Sequence, residues 1–251
     1  MDYTQDANCV GAWLFTEGSG TTVADSSPNT NTGTFTDTNK PTWDATDVPY
    51  ATSGAAPNSV DFSSADHRIS VGSDASLDNM TKYTFVTLVS EEGAGGNNNG
   101  RVFDKNNRRI FLGDVSNTIQ AEIDYGTTNA NSLSASNAYS NTTIFSLQVT
   151  WDGTGDRYAR IYVNTTEVNY GTFQAGGASP DGIGDDSASN YVIGNHPTVD
   201  RHLNGKVTET AIFTRILSST ERNEIYDFGL VGTGAVAATG FMTTNTGYWG
   251  T

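Results

Sequence analysis

Apolar and polar positions alternate in short runs along most of the chain. Residues 207–213 (VTETAIF) predict a core strand, with Val207, Glu209 and Ala211 on one face and Thr208, Thr210 and Ile212 on the other. Similar runs mark residues 9–15, 33–35, 83–89, 101–103, 109–112, 118–125, 143–151 and 158–163 as strands. The pairs 109–112 with 118–125 and 143–151 with 158–163 predict hairpins, as do 60–62 and 68–71 around 63–67. A single helix stands out, in RILSSTERNEIY. Ser218 with Glu221 three residues on is a capping box, in which each partner satisfies the other's backbone N–H. Leu217, Ile225 and Tyr226 give that helix an apolar side, and no long helical period precedes Ser218.

Composition agrees with many short strands joined by polar turns. Of 251 residues only 16% are charged, and Gly, Thr, Ser and Asn are abundant. That length suits one β-sandwich domain over residues 1–230. Residues 231–251 are uncharged and rich in Gly, Ala and Thr, and they carry Phe241, Tyr248 and Trp249. This tail reads equally as a disordered end or as an arm that docks on another virion protein or on a second copy in a homo-oligomer. The EEGAGGNNNG run at 91–100 is low in complexity and is expected to be mobile.

The net charge of −15 argues against nucleic acid and against an anionic membrane surface, since both need clustered Lys and Arg. No apolar run reaches transmembrane length, so no membrane insertion is expected. The lone Cys9 sits in CVGAWLF and reads as a buried core thiol. The N-terminus shows no leader pattern. Either a leader was removed, or the protein leaves the cytoplasm by another route such as virion assembly.

Several stretches together resemble a known family. Tyr191-Val-Ile-Gly, Leu203-Asn-Gly-Lys-Val-Thr-Glu, Ile212-Phe-Thr-Arg-Ile-Leu-Ser and Glu224-Ile-Tyr are similar to the closing signature of LamG-like, concanavalin A-like lectin/glucanase jelly rolls. The opening GAWLFTEGSGTTVADSS resembles the family's first strand and loop, and Val60-Asp-Phe, Ile69-Ser-Val, Val149-Thr-Trp-Asp-Gly and Ile161-Tyr-Val-Asn match in between. The resemblance covers residues 9–230. It implies an all-β sandwich jelly roll of two antiparallel sheets with one short C-terminal helix.

The resemblance also implies a structural Ca2+ held by Asp25, Asn31 and Glu209, clamping the first loop to the last strand. Thr208 stands where the family often has Asp, which removes one oxygen ligand. The alternative is that Asp25 caps its own turn and Glu209 pairs with a base such as Arg215. Glu122 and Asp124 resemble the start of the family's ExDxxE or ExDxE glucanase strand, but the second Glu is missing, so no acid remains for the leaving group. His67, His196 and His202 lack zinc spacing. Sugar rings need aromatic faces with planar polar groups beside them, and Trp43, Tyr50, Tyr125, Tyr139, Tyr158, Tyr170, Arg201 and His202 are the candidates. Trp13 and Trp151 belong to strong motifs and are expected in the core. The expected function is a non-catalytic module that binds glycans or cell-surface polysaccharide. It would be displayed on a virion surface or outside the cell, as a phage decoration or tail-associated protein. The alternatives are a purely structural cement protein and, further off, a polysaccharide hydrolase or lyase.

Overall fold

Two antiparallel sheets carry the chain. The computed structural model describes residues 1–36, 38–45, 58–113, 116–126, 128–177 and 184–232. Tyr50 and the tail aromatics Phe241, Tyr248 and Trp249 lie outside the described residues. Among the described residues the eight-stranded sheet runs in the order β14 (Thr166–Glu167), β13 (Ala159–Val163), β12 (Phe145–Asp152), β7 (Lys82–Glu91), β17 (Gly205–Phe213), β5 (Ser59–Asp61) and β4 (Thr42–Asp44). Strand β1 (Cys9–Trp13) also pairs with β17. The nine-stranded sheet runs β15 (Tyr170–Gln174), β11 (Ala130–Ser134), β10 (Thr118–Ile123), β9 (Arg108–Gly113), β8 (Gly100–Asp104), β16 (Tyr191–Ile193), β6 (Ile69–Gly72), β3 (Gly33–Phe35) and β2 (Thr22–Val23).

The main core lies between the sheets. Trp13, Phe85, Phe103, Ile119, Ile123, Val149, Trp151 and Tyr191 are buried there, so both motif tryptophans are core residues as expected. Tyr191 lies between Trp13 and Phe103, with ring centroids at 5.4 and 4.6 Å. A smaller cluster covers the outer face of the eight-stranded sheet. It holds Tyr3, Cys9, Val86, Ala211, Phe213, Leu217, Ile225 and Leu230. Its lid is helix α1 (Ser219–Phe228), whose capping box forms as the sequence predicts. Arg215 ties this corner together by pairing with both Asp6 and Glu221. Burial pushes the Cys9 thiol up to about 12, which keeps it protonated and inert.

Three expectations need correction. First, the stretches at 60 and 69 do not form a hairpin. Strand β5 pairs in one sheet and β6 in the other, so the chain between them crosses the sandwich. Alternation marks both strands but does not say which sheet each joins. Second, the faces of β17 do not alternate simply. Its pairing with β7 slips by one residue between Thr208 and Ala211, and Glu209 there takes a left-handed φ of 38°. This bulge sits where the neighbour on the other edge changes from β5 to β1. As a result Val207 and Ile212 share the inner core, while Ala211 and Phe213 face the helix. Third, the GAGGNNNG part of the 91–100 run is packed against residues 200–203. Gly96 donates its N–H to the His202 carbonyl, and Arg101 donates its N–H to the Arg201 carbonyl, both at 2.9 Å. A Cβ on Gly95 would come within 2.5 Å of the His202 carbonyl oxygen, so close backbone approach explains the glycine there.

Candidate functional site

Strands β8 to β11 turn one face to the core and leave the other open. On β10, Ile119, Ala121 and Ile123 are buried, while Thr118, Gln120 and Glu122 are half-buried on the opposite face. Register lines up one polar row and one mixed row across this open face. In one row Asp104, Arg109, Glu122 and Asn131 are successive cross-strand partners. In the next row the partners are Arg101, Phe111, Gln120 and Leu133.

These groups hold one another in place. Arg109 Nε donates to Glu122 Oε2 at 3.0 Å, and Asn129 Nδ2 donates to Glu122 Oε1 at 3.0 Å. Gln120 Nε2 donates to Asn131 Oδ1 at 2.8 Å. Arg101 Nε donates to Asp104 Oδ2 at 3.0 Å, and its guanidinium carbon lies 4.2 Å from the centre of the Phe111 ring. Burial pushes the Glu122 carboxyl up, but the hydrogen bond and charge of Arg109, with Asn129, outweigh that and hold it below the usual carboxylate range. Asp104 behaves oppositely, because burial raises its carboxyl more than Arg101 lowers it. Both Asp104 oxygens are engaged, Oδ2 by Arg101 and Oδ1 by the Asn106 N–H at 2.7 Å, and the side chain has no exposed surface. The rows lead into a groove of about 570 Å³ lined by Asn97, Asn98, Asn99, Thr118, Ser134 and Ser136. Asn97 and Asn98 both take left-handed φ, a conformation that asparagine tolerates.

The sequence candidates fall in different places. Tyr125 is buried, edge-on to Trp151 at 6.2 Å. Tyr139 is buried, stacked on Phe145 at 5.0 Å, and donates its hydroxyl to Glu91. Neither offers a face to a sugar, because each fills the core beside its loop. Trp43 is half-buried on β4, donates to the Gly20 carbonyl at 3.0 Å, and packs on Phe15 and Phe35. Tyr158 and Tyr170 stack on the half-exposed Phe173 at 4.3 and 4.2 Å. Arg201 and His202 are half-buried beside β8, and burial with the neighbouring His67 lowers the His202 pKa. Of the aromatic and basic candidates among the described residues, Arg201 and His202 adjoin the open face, through the backbone bond from Arg101. Arg101, Arg109, Gln120, Asn131 and Asn97–Asn99 were missed. Their signal is the polar half of the alternation, at positions that carry no aromatic ring.

The calcium set does not fit a cation as placed. Asp25 Oδ1 accepts from the N–H of Ala12 and of Ser27 at 2.7 and 2.8 Å. Its Oδ2 accepts from Ser27 Oγ and the Asn31 N–H at 2.8 and 2.6 Å. Asn31 spends its amide N–H groups on the Val10 carbonyl and Ser76 Oγ. Glu209 accepts from the Leu230 N–H at 3.4 Å. Hydrogen-bond donors therefore surround Asp25 where a cation would need bare oxygens. Among the described residues no group of three or more His, Cys, Asp and Glu side chains converges as a metal site. Arg215 pairs with Asp6 and Glu221.

A family model described as the concanavalin A-like lectin/glucanases superfamily matches residues 62–221, well over half of the chain. Comparison with curated proteins gives no match. Among solved structures, a Trypanosoma rangeli sialidase in complex with sialic acid superposes with a TM-score of 0.60 at 14% identity, covering 92% of this chain and 34% of that one. The binding domain of botulinum neurotoxin serotype D gives 0.58 at 11% identity, covering 88% and 50%. The receptor binding domain of a botulinum neurotoxin C/D mosaic serotype gives 0.58 at 12%, covering 88% and 51%. The chain thus spans a third to a half of those proteins, and at these identities the likeness is one of fold. A virion setting finds no support in these comparisons. No helix among the described residues is long and apolar enough to cross a membrane.

Proposed function

We propose that this chain, which belongs to the concanavalin A-like lectin/glucanases superfamily, is a non-catalytic carbohydrate-binding module whose ligand lies along the open face of the nine-stranded sheet. The observation that carries this is the polar ladder there. Arg109, Glu122 and Asn129 form one hydrogen-bonded set of planar groups and Gln120 with Asn131 a second, on and beside strands β9 to β11, running into a groove rimmed by asparagines. Planar amides, carboxylates and guanidiniums fixed in this way suit the paired hydroxyls of a sugar ring. The likeness in fold to toxin domains named for binding supports the same reading.

The ladder also argues for binding over hydrolysis. A glycosidase needs one carboxyl kept protonated and facing the bond it cleaves. Glu122 is held ionised by Arg109, and Asp104, whose carboxyl is raised, is enclosed with both oxygens bonded. A glycan array probed with the purified chain, in calcium and again in chelator, tests the proposal. Binding to a defined set of glycans in both conditions is expected. A folded protein that binds none would refute it and favour a purely structural role.

A further inference from the structure

The open face carries two chemically different sets of groups. The groove carries asparagine amides, serine and threonine. The β8 side, beside those asparagines, gathers Arg101, Arg109 and Arg201, together with His202. Arg101 and Arg109 stand on adjacent strands of one face, and the Arg101 N–H is bonded to the Arg201 carbonyl. These are three of only 13 basic residues in a chain of net charge −15. Like charges brought together cost free energy unless anions offset them. Asp104, Glu122 and Asp200 each stand beside one arginine, so the formal charges balance and what is left over is hydrogen-bond donors. Arg101 Nη1 is buried and has no hydrogen-bond partner among the described residues. Arg201 meets Asp200 Oδ2 only at 3.7 Å and keeps 29% of its side chain exposed. Phe111 beneath Arg101 fixes the guanidinium plane. Donor capacity is left over at a place held rigid by strand pairing.

Building on the carbohydrate-binding reading, we propose that this side of the open face recognises the carboxylate of an acidic sugar, with Arg101, Arg109 and Arg201 as its anion-reading residues. Guanidinium groups match a planar carboxylate with two parallel hydrogen bonds, a geometry that a neutral sugar cannot use. The sugar ring beyond the carboxylate would lie over Gln120 and Glu122 toward β11. The strongly negative chain does not attract polyanions in general, so any preference for acidic glycans must come from a local site. Orientation follows as well: the carboxylate is held at the β8 side and the neutral portion runs toward β11.

The test uses matched probes on the full chain: trigalacturonic acid against its methyl ester, sialyllactose against lactose, and a sulfated galactose trimer against its unsulfated form. Binding is measured by isothermal titration and by an array. At least one carboxylate probe is expected to bind at least tenfold more tightly than its neutral partner. Arg201→Gln and Arg109→Gln should each remove that preference while circular dichroism and Tm are kept. Arg160→Gln, on the other sheet, should leave it intact. Equal binding of acid and neutral partners, or preference for the sulfated probe alone, would overturn this inference and leave the carbohydrate-binding reading standing. Failure of every probe and every array glycan to bind would overturn both.

Discussion

Asp25 offers the sharpest test of how the first loop is fastened. Its carboxylate accepts three backbone N–H groups, from Ala12, Ser27 and Asn31, and one hydroxyl, from Ser27. Ala12, Ser27 and Asn31 are all buried, so Asp25→Ala leaves three N–H donors short of a partner. At the low end for buried unsatisfied donors, about 1 kcal/mol each, the loss is about 3 kcal/mol. For a domain of this size that corresponds to a fall in Tm of about 6–12 °C. Asp25→Asn keeps one carbonyl oxygen and should lose about half as much. Urea unfolding followed by tryptophan fluorescence measures both. The same experiment in millimolar calcium and in excess chelator should give one midpoint for the wild type, because donors and not a cation complete the Asp25 shell. A loss below about 1 kcal/mol for Asp25→Ala, or a wild-type midpoint that rises with calcium and fails to rise in Asp25→Asn, would refute this account.

Other consequences can be measured separately. Glu122→Ala should weaken glycan binding at least tenfold without lowering Tm by more than about 2 °C, a surface-scale effect for a half-buried group. Prolonged incubation with bound polysaccharides should release no reducing ends; release that Glu122→Gln abolishes would overturn the non-catalytic reading. Hydrogen bonds from Arg215, helped by the Ser218 N–H and hydroxyl, hold the Glu221 carboxyl at about 2, below its ordinary 4.5. A carboxyl depressed in the folded state stabilises fully above about pH 4.5 and loses that contribution as pH falls toward 2. Melting curves across that window should therefore fall more steeply for the wild type than for Glu221→Gln, and parallel curves would count against the pairing. Gly205→Ala would place a methyl group 2.0 Å from the Ser90 carbonyl oxygen in the centre of the eight-stranded sheet, and should cost about 3 kcal/mol in chemical denaturation.

Much of this architecture can be read from residue order. The capping box at Ser218 and Glu221 is local, and it forms as its three-residue spacing requires. The strands around Phe85, Ile119, Ile123 and Val149 follow from alternation, because burying one face of a sheet forces a period of two. The failures lie where a partner distant in sequence decides the outcome. Nothing between Asp61 and Ile69 says that the chain changes sheets there. The glycines before Arg101 look like a flexible linker until residues 200–203 are laid against them. Tyr125 and Tyr139 look like loop aromatics until Trp151 and Phe145 close over them. The Arg109–Glu122 pair was present in the polar half of two predicted strands, but only register shows that the two residues face each other.

The bulge at Glu209 sets a limit on changes in chain length. On its two sides β17 obeys opposite parities, and the single extra residue converts one into the other. Removing one residue between Thr208 and Ala211 would leave every side chain chemically acceptable where it stands in sequence. It would nevertheless turn either Val207 away from the inner core or Ala211 and Phe213 away from the helix. Substitutions along this strand should therefore be graded in effect, whereas a one-residue deletion or insertion should abolish folding outright. In a deep scan of single-codon insertions and deletions, residues 207–213 should form a sharp gap in tolerance beside permissive turns such as residues 153–156.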